Sequence, residues 1–403
     1  MTSQPDHVEI EPPSTEAGAI GWLRHNLFSS IQSSLATIVV GTVLLVAGSL
    51  LMEWILFHAR WGVITDNMRL FMVGLYPQAE IWRVWLTMAV LSLVTGLSAG
   101  TWRSGALRMM AIMLAAGQVA LALLAVVSGL GVFGAAALVA DAALLLAAML
   151  AARRRPIGHR WLLLGWAATL VLAYLLLAGL GEASFLPAVS TNVWGGLLLT
   201  ILLSVVGIAL SFPFGVALAV GRRSNLPVVR LLSTAFIELV RAVPLITILF
   251  MASLLFPLFL PEDMRIENVI RAIGGIVLFS AAYVAENVRG GLQAIPRGQI
   301  EAAQAIGLRS WQTNVYVVLP QALRITIPPN VGLFISLLKD TTLVVIIGLL
   351  ELLGIGRAVL AQPEWLGASF EVYIFVAAVF FVLCYALSQA SYRLERELGV
   401  GER

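Results

Sequence analysis

Ile295-Pro-Arg-Gly-Gln-Ile-Glu301-Ala302-Ala303-Gln-Ala-Ile-Gly307-Leu-Arg-Ser-Trp-Gln-Thr-Asn-Val-Tyr-Val-Val-Leu319-Pro320 lies between two apolar runs, near residues 270–290 and 325–350. Its residue types predict a helix, a turn and a second helix. Pro296 suits a first helical turn, where its missing N–H goes unnoticed. Glu301 to Ile306 are good helix formers, and Gly307 is the residue type that closes a helix in the left-handed conformation. Ser310 is expected to cap the next helix. Ala302 and Ala303 leave a nearly smooth face beside one carboxylate, which suits close docking into a cleft on a partner.

The rest of the chain explains why so polar a loop is sandwiched between apolar runs. Of 403 residues, 60% are hydrophobic and 12% charged, against about 25% charged in a soluble domain. Runs long enough to cross a bilayer occur near 31–57, 84–100, 106–130, 131–151, 161–180, 193–220, 231–260, 270–290, 325–350 and 371–391. The fold class expected is therefore an all-α polytopic membrane protein of about ten spans, with 84–100 the shortest run and Gly131 to Gly134 the weakest break. No soluble catalytic domain fits between the runs. Residues 1–25 read as a disordered cytoplasmic tail, and 396–403 as a second short cytoplasmic tail. The first run is too long for a signal-peptide core and is read as a retained span.

Arginine placement sets the orientation. Twenty-four of the 25 basic residues are arginine. With both termini in the cytoplasm, 17 arginines fall on the cytoplasmic side, among them Arg153–Arg155, Arg222, Arg223, Arg289, Arg297 and Arg309. Six fall outside: Arg60, Arg69, Arg83, Arg265, Arg271 and Arg357. The positive-inside rule selects this topology and makes 295–320 cytoplasmic and the Glu262–Asp263 loop external.

A break near 181–192, with Gly181, Glu182 and Pro187, separates an accessory region (26–190) from a core (191–395). Charges and prolines at membrane depth concentrate in the core: Pro213, Glu238, Arg241, Pro244, Glu286, Lys339 and Asp340. Each charge must face protein or water. Glu238, Arg241 and Pro244 are spaced to share one helix face, either shaping a translocation path or forming a structural pair with Arg241 reaching for the interface. Lys339, the one lysine of the chain, and Asp340 stand about 100° apart on a helix. They suit the carboxylate and ammonium of an amino acid, or separate partners on neighbouring helices, such as Arg241 for Asp340. Glu286 reads as packing at a helix end, and Asp141 as a hydrogen-bonding group within the accessory region.

The opening stretch resembles the cytoplasmic EAA loop of ABC importer permeases: Glu301, Ala302, Ala303 and Gly307, then Val317, Leu319 and Pro320 in register. The resemblance covers roughly 192–395, through Trp194-Gly195-Gly196-Leu197, Glu238-Leu-Val-Arg241-Ala-Val-Pro244-Leu245, Arg289-Gly290-Gly291 and Lys339-Asp340-Thr341-Thr342-Leu343. It is closest to the polar and general L-amino-acid permeases of long-subunit type; Thr342 stands where many relatives carry serine. The resemblance implies a type I importer core of five helices that works by alternating access in a bacterial inner membrane. It further implies that Glu301, Ala302, Ala303 and Gly307 couple to ABC ATPase subunits, with Glu238, Arg241, Lys339, Asp340 and Thr341 as candidate pathway residues. A second, related permease chain and an extracytoplasmic amino-acid-binding protein are the other partners implied, with ATP-Mg on the ATPase and no cofactor on this chain.

The inventory argues against an enzyme. The histidines (His7, His25, His58, His159) lie outside the core spans, and Cys384 is the only cysteine. With Lys339 flanked by Leu338 and Asp340, no phosphate-binding G-x-x-x-x-G-K-[ST] loop exists, so ATP is expected to be hydrolysed on another polypeptide. No metal site and no nucleic-acid partner are indicated. The rival reading is a proton- or sodium-coupled secondary transporter, which would show repeats and interrupted helices and leave the EAA-like loop unexplained.

Overall fold

The computed structural model describes residues 18–126, 128, 131–181, 185–261, 264 and 266–399. The start of the expected N-terminal tail, Glu182, the Glu262–Asp263 loop and residues 400–403 lie outside the described residues. The chain forms two compact units, one ending at Arg60 and one beginning at Trp61.

In the first unit, α1 (Gly18–Leu27) occupies the end of the segment read as a tail. The correction has a compositional cause: from Ala19 the sequence turns apolar through Trp22 and Leu23. Helix α2 (Ile31–Glu53) follows, its N-terminus capped by Ser30, whose hydroxyl accepts from the Ser33 N–H at 3.1 Å. A wider π-helical turn, Trp54–His58, extends it. None of α2 is buried within its unit. That is what a helix solvated by lipid on all sides looks like.

The second unit opens with α3 (Gly62–Thr65) and α4 (Met68–Val73). The accessory spans are α5 (Ile81–Thr101), α6 (Gly105–Val126), α7 (Gly131–Arg154) and α8 (His159–Ala178). Hydrophobic burial does not drive helices together in lipid, so close packing must. Helix α5 supplies it with Gly96 and Gly100, one turn apart. A Cβ on either would stand 2.3 Å from a carbonyl oxygen of α7, that of Leu145 or Met149.

Core helices α9 (Gly196–Arg222) and α10 (Pro227–Arg241) follow. Here the run read as one span is broken: α10 and the segment Leu245–Phe259, which begins with α11 (Leu245–Phe250), meet at 107°. Pro244 disfavours helical backbone in the residue before it, so α10 ends at Arg241. Glu238 and Arg241 thus share a helix, but Pro244 does not belong to it, contrary to expectation.

Helix α12 (Asn268–Ala294) leads into α13 (Arg297–Ala305) and α14 (Ser310–Gln312). A π-helical turn (Thr313–Val318), α15 (Leu319–Ile325) and α16 (Ile327–Asp340) come next. Then a 3-10 turn (Thr341–Ile347) precedes α17 (Leu352–Leu360) and α18 (Ser369–Glu397). Among the described residues, nine helices are long and apolar enough to cross a membrane, or ten with the bent pair counted as one span. Each coincides with one of the ten apolar runs.

Candidate functional site

The charges of the core converge where α9, α10 and α12 meet. Arg222 is the last residue of α9, and its guanidinium reaches Glu238 on α10 at 2.9 Å and Glu286 on α12 at 3.5 Å. Arg241 approaches the same Glu286 carboxylate at 3.4 Å while its guanidinium lies 5.6 Å above the Tyr283 ring. Arg289, one turn after Glu286, donates its Nε–H to both Glu286 oxygens at 3.0 Å and its Nη2 to Oε1. Three guanidinium groups and two carboxylates leave this cluster with one net positive charge. Pairing is what permits ionised groups inside an apolar bundle. Glu286, expected to be helix-end packing, is the hub that ties three helices together.

A hydrophobic cluster lies against these charges. Ala219 of α9, Ile237 of α10, Val284, Val288 and Leu292 of α12, and Val318 and Ala322 are buried together. Ile300 of α13 packs onto it, and Ala303 is only 4% exposed. Ile300 therefore anchors α13 to this packing, and Ala303 turns the same way into the protein. The opposite face is free: Glu301 and Ala302 are exposed, and Ile306 is 78% exposed.

Gly307 closes α13 at φ +86°, as its residue type demanded. Pro296 stands one position before the helix rather than in its first turn. Likewise Arg309, not Ser310, occupies the cap of α14, and its N–H is taken by the Gln312 side chain at 2.9 Å. Beyond Gly307, Trp311 (55%) and Tyr316 (64%) are also exposed. Exposed apolar side chains grouped on a polar connecting segment are the kind of surface that interaction sites use.

Lys339 and Asp340 end α16, one exposed and the other half-buried, and neither forms an ion pair among the described residues. The pairing of Asp340 with Arg241, weighed from the sequence, does not occur; Arg241 is held by Glu286 instead. Thr341 is fully buried, and its hydroxyl donates to the Leu338 carbonyl at 2.7 Å, fixing the turn that carries Asp340. The nine candidate residues thus fall into three groups, at the ion-pair cluster, on α13 and at the end of α16.

The accessory spans carry more polar chemistry than their composition suggested. The buried Asp141 of α7 accepts from Ser92 of α5 at 2.7 Å and Gln118 of α6 at 2.6 Å, so one carboxylate pins three helices. Arg83 is fully buried; it contacts Glu80 at 2.8 Å and donates to the Pro187 carbonyl at 2.8 Å. The Tyr76 hydroxyl donates to the Leu177 carbonyl, and burial pushes its pKa up to about 12. Glu397 of α18 accepts from Ser104 and from the Ala106 N–H at the start of α6.

Residues 211–398 match the family described as binding-protein-dependent transport system inner membrane component. The chain is 37% identical over 402 residues to the inner membrane amino-acid ABC transporter permease protein YhdY of Escherichia coli K12, covering 95% of this chain and 94% of that protein. This chain belongs to the ABC transporter permease family. The glutamate/glutamine/aspartate/asparagine transport system permease protein BztC of Rhodobacter capsulatus is also 37% identical, over 96% of this chain and 95% of its own length. The probable glutamine ABC transporter permease protein GlnP of Bacillus subtilis is 39% identical over half of this chain and 91% of its own. Among solved structures, an amino acid ABC transporter crystallised with histidines is 29% identical over 50% of this chain and 92% of its own, with a TM-score of 0.46. As a permease subunit the chain is a conduit rather than an enzyme, and ATP hydrolysis belongs to a separate subunit.

Proposed function

We propose that this permease carries L-amino acids inward by alternating access, driven through α13 by an ABC ATPase on the cytoplasmic face. The reading rests above all on one observation. Helix α13 is anchored by Ile300 to the apolar cluster beside the ion pairs and buries Ala303, while Glu301, Ala302 and Ile306 stay uncovered. A helix so arranged transmits force: what moves its free face moves the ends of α9, α10 and α12.

ATP-driven closure of the ATPases displaces α13, and the Arg222–Glu238–Glu286–Arg241–Arg289 cluster holds its three helices together as the displacement passes on. Rigid-body coupling between distant sites needs only such a two-state contact. Lys339 and Asp340, unpaired at the end of α16, are positioned to meet the carboxylate and ammonium of an amino acid, with Thr341 setting the turn. Residues 191–395 form the working core and 26–190 the accessory region. Both termini lie in the cytoplasm, in accord with the arginine asymmetry. The chain pairs with a shorter, related permease and receives its amino acid from a binding protein on the outer face; neither requires a cofactor on this polypeptide.

Copurification of the tagged chain followed by mass spectrometry tests the assembly. An ATPase bearing a Walker A loop and a second, shorter permease are expected in the complex. Isolation of the chain by itself, with proton- or sodium-driven amino-acid uptake in vesicles, would contradict the proposal.

A further inference from the structure

A cavity of about 200 Å³ separates the accessory spans from the core, lined by α4, α5, the end of α6, the start of α7 and the start of α9. Its walls include Met72, Trp85, Met88, Leu138 and Leu198. Two polar residues reach it, Thr87 and Arg69. The Thr87 hydroxyl donates to the Arg83 carbonyl at 2.8 Å. Arg69 is half-buried and has neither an ion pair nor a hydrogen bond among the described residues. The cavity is thus almost wholly apolar, with a guanidinium at its border that has no partner among the described residues.

Water is a poor occupant. Apolar cavities of about 150 Å³ stay dry and take up hydrocarbon instead. Position points to the source of the hydrocarbon. The lining comes from the first three turns of α5, the second turn of α7, the first two turns of α9 and the second-last turn of α6, so the cavity starts at one end of the bundle and reaches inward from the membrane boundary. Trp82 and Trp85 mark that boundary, as amphipathic rings do at headgroup level. Arg69, on α4, precedes the span and so stands on the headgroup side. An apolar slot at acyl depth below a free guanidinium at headgroup depth matches a glycerophospholipid: chain in the slot, phosphate on the arginine. A guanidinium pairs with phosphate through two parallel N–H donors.

We propose that this cavity is a phospholipid site, in which one acyl chain fills the seam between accessory region and core and Arg69 holds the phosphate. The lipid completes the packing that joins the two regions, which gives the accessory spans a role in seating the core in its bilayer.

The complete transporter, reconstituted in vesicles of phosphatidylethanolamine and phosphatidylglycerol with a phospholipid carrying a diazirine midway along one acyl chain, supplies the test. After illumination, digestion and mass spectrometry, adducts should concentrate on the segments around Met72, Met88 and Leu138. Arg69→Ala should lower that yield about tenfold, as expected for loss of one charge-assisted hydrogen bond, while Arg69→Lys keeps most of it. Leu198→Trp, which fills the slot and leaves Arg69 in place, should abolish the adducts at these segments while labelling of the exposed faces of α2 persists. Labelling of the cavity segments unchanged in both Arg69→Ala and Leu198→Trp, or no labelling there in the unmodified protein, would overturn the proposal. If Arg69→Ala fails to assemble, Leu198→Trp decides by itself.

Discussion

Glu286 shows how far a single residue can be misjudged from its neighbours in sequence. Its partners Arg222, Arg241 and Arg289 come from three helices, and only Arg289 lies within one turn of it. The sequence displays charges at membrane depth but not which of them converge, because that depends on how helices far apart in the chain are packed. Glu286→Gln keeps the shape but removes the charge that three guanidinium groups share. The expected cost is about 1–3 kcal/mol. It should appear as a lower melting temperature of the purified complex and as reduced uptake in vesicles. Lys339 poses the opposite case, a charge with no ion pair among the described residues. Lys339→Met should lower transport more than assembly, and equal losses would return the residue to a structural role.

Glu351, which the sequence reading passed over, is fully buried between spans and accepts from the N–H groups of Leu353 and Gly354 at 3.0 and 2.8 Å. Burial raises its pKa above the ordinary carboxylate value, more than those two N–H groups lower it. A folded-state pKa above the unfolded one favours the protonated fold, so this contribution is complete at low pH and is lost as pH rises through the folded value. Glu351→Gln should therefore flatten the dependence of melting temperature on pH above the ordinary carboxylate range. An unaltered slope would place the titration elsewhere.

At the scale of elements, span positions were legible because twenty or so apolar residues have few alternatives in a membrane. Bends and contacts were not. The 231–260 run reads as continuous, yet Pro244 turns it through 107°. The Gly96–Gly100 pair is invisible to hydrophobic periodicity, since in lipid both the packed and the exposed face of a helix are apolar. Its packing predicts that Gly100→Leu drives α5 from α7, where Met149 O and the Ala152 Cβ leave no room. Faster proteolysis of the accessory spans would report it. Helix α13 was legible in its existence and in its stop at Gly307; its start lies one residue after Pro296, and of the expected smooth face Ala302 is exposed while Ala303 is buried. Its anchoring through Ile300 was not, because the cluster that Ile300 packs against is assembled from residues as far apart in the chain as Ala219 and Ala322. Gly307→Val, forced to φ +86°, should cost roughly 1–2 kcal/mol at the end of this helix and uncouple its free face from the π-helical turn that follows.

The whole molecule is a five-span core preceded by further spans, with Glu397 of the last core helix, α18, accepting from Ser104 and from the Ala106 N–H at the start of α6. That contact ties the extra helices to a core that shorter relatives, such as GlnP of Bacillus subtilis, match over half of this chain. Orientation is a property of this scale alone, read from arginine counts rather than any single residue. Reporter fusions to the C-terminus should be active in the cytoplasm and those to the loop after Phe259 active outside. The most direct test of the account is the transporter reconstituted with its ATPase and binding protein, comparing substrate-stimulated ATP hydrolysis with and without Glu301→Arg. Loss of stimulation in a complex that still inserts is predicted, and undiminished stimulation would contradict coupling through α13.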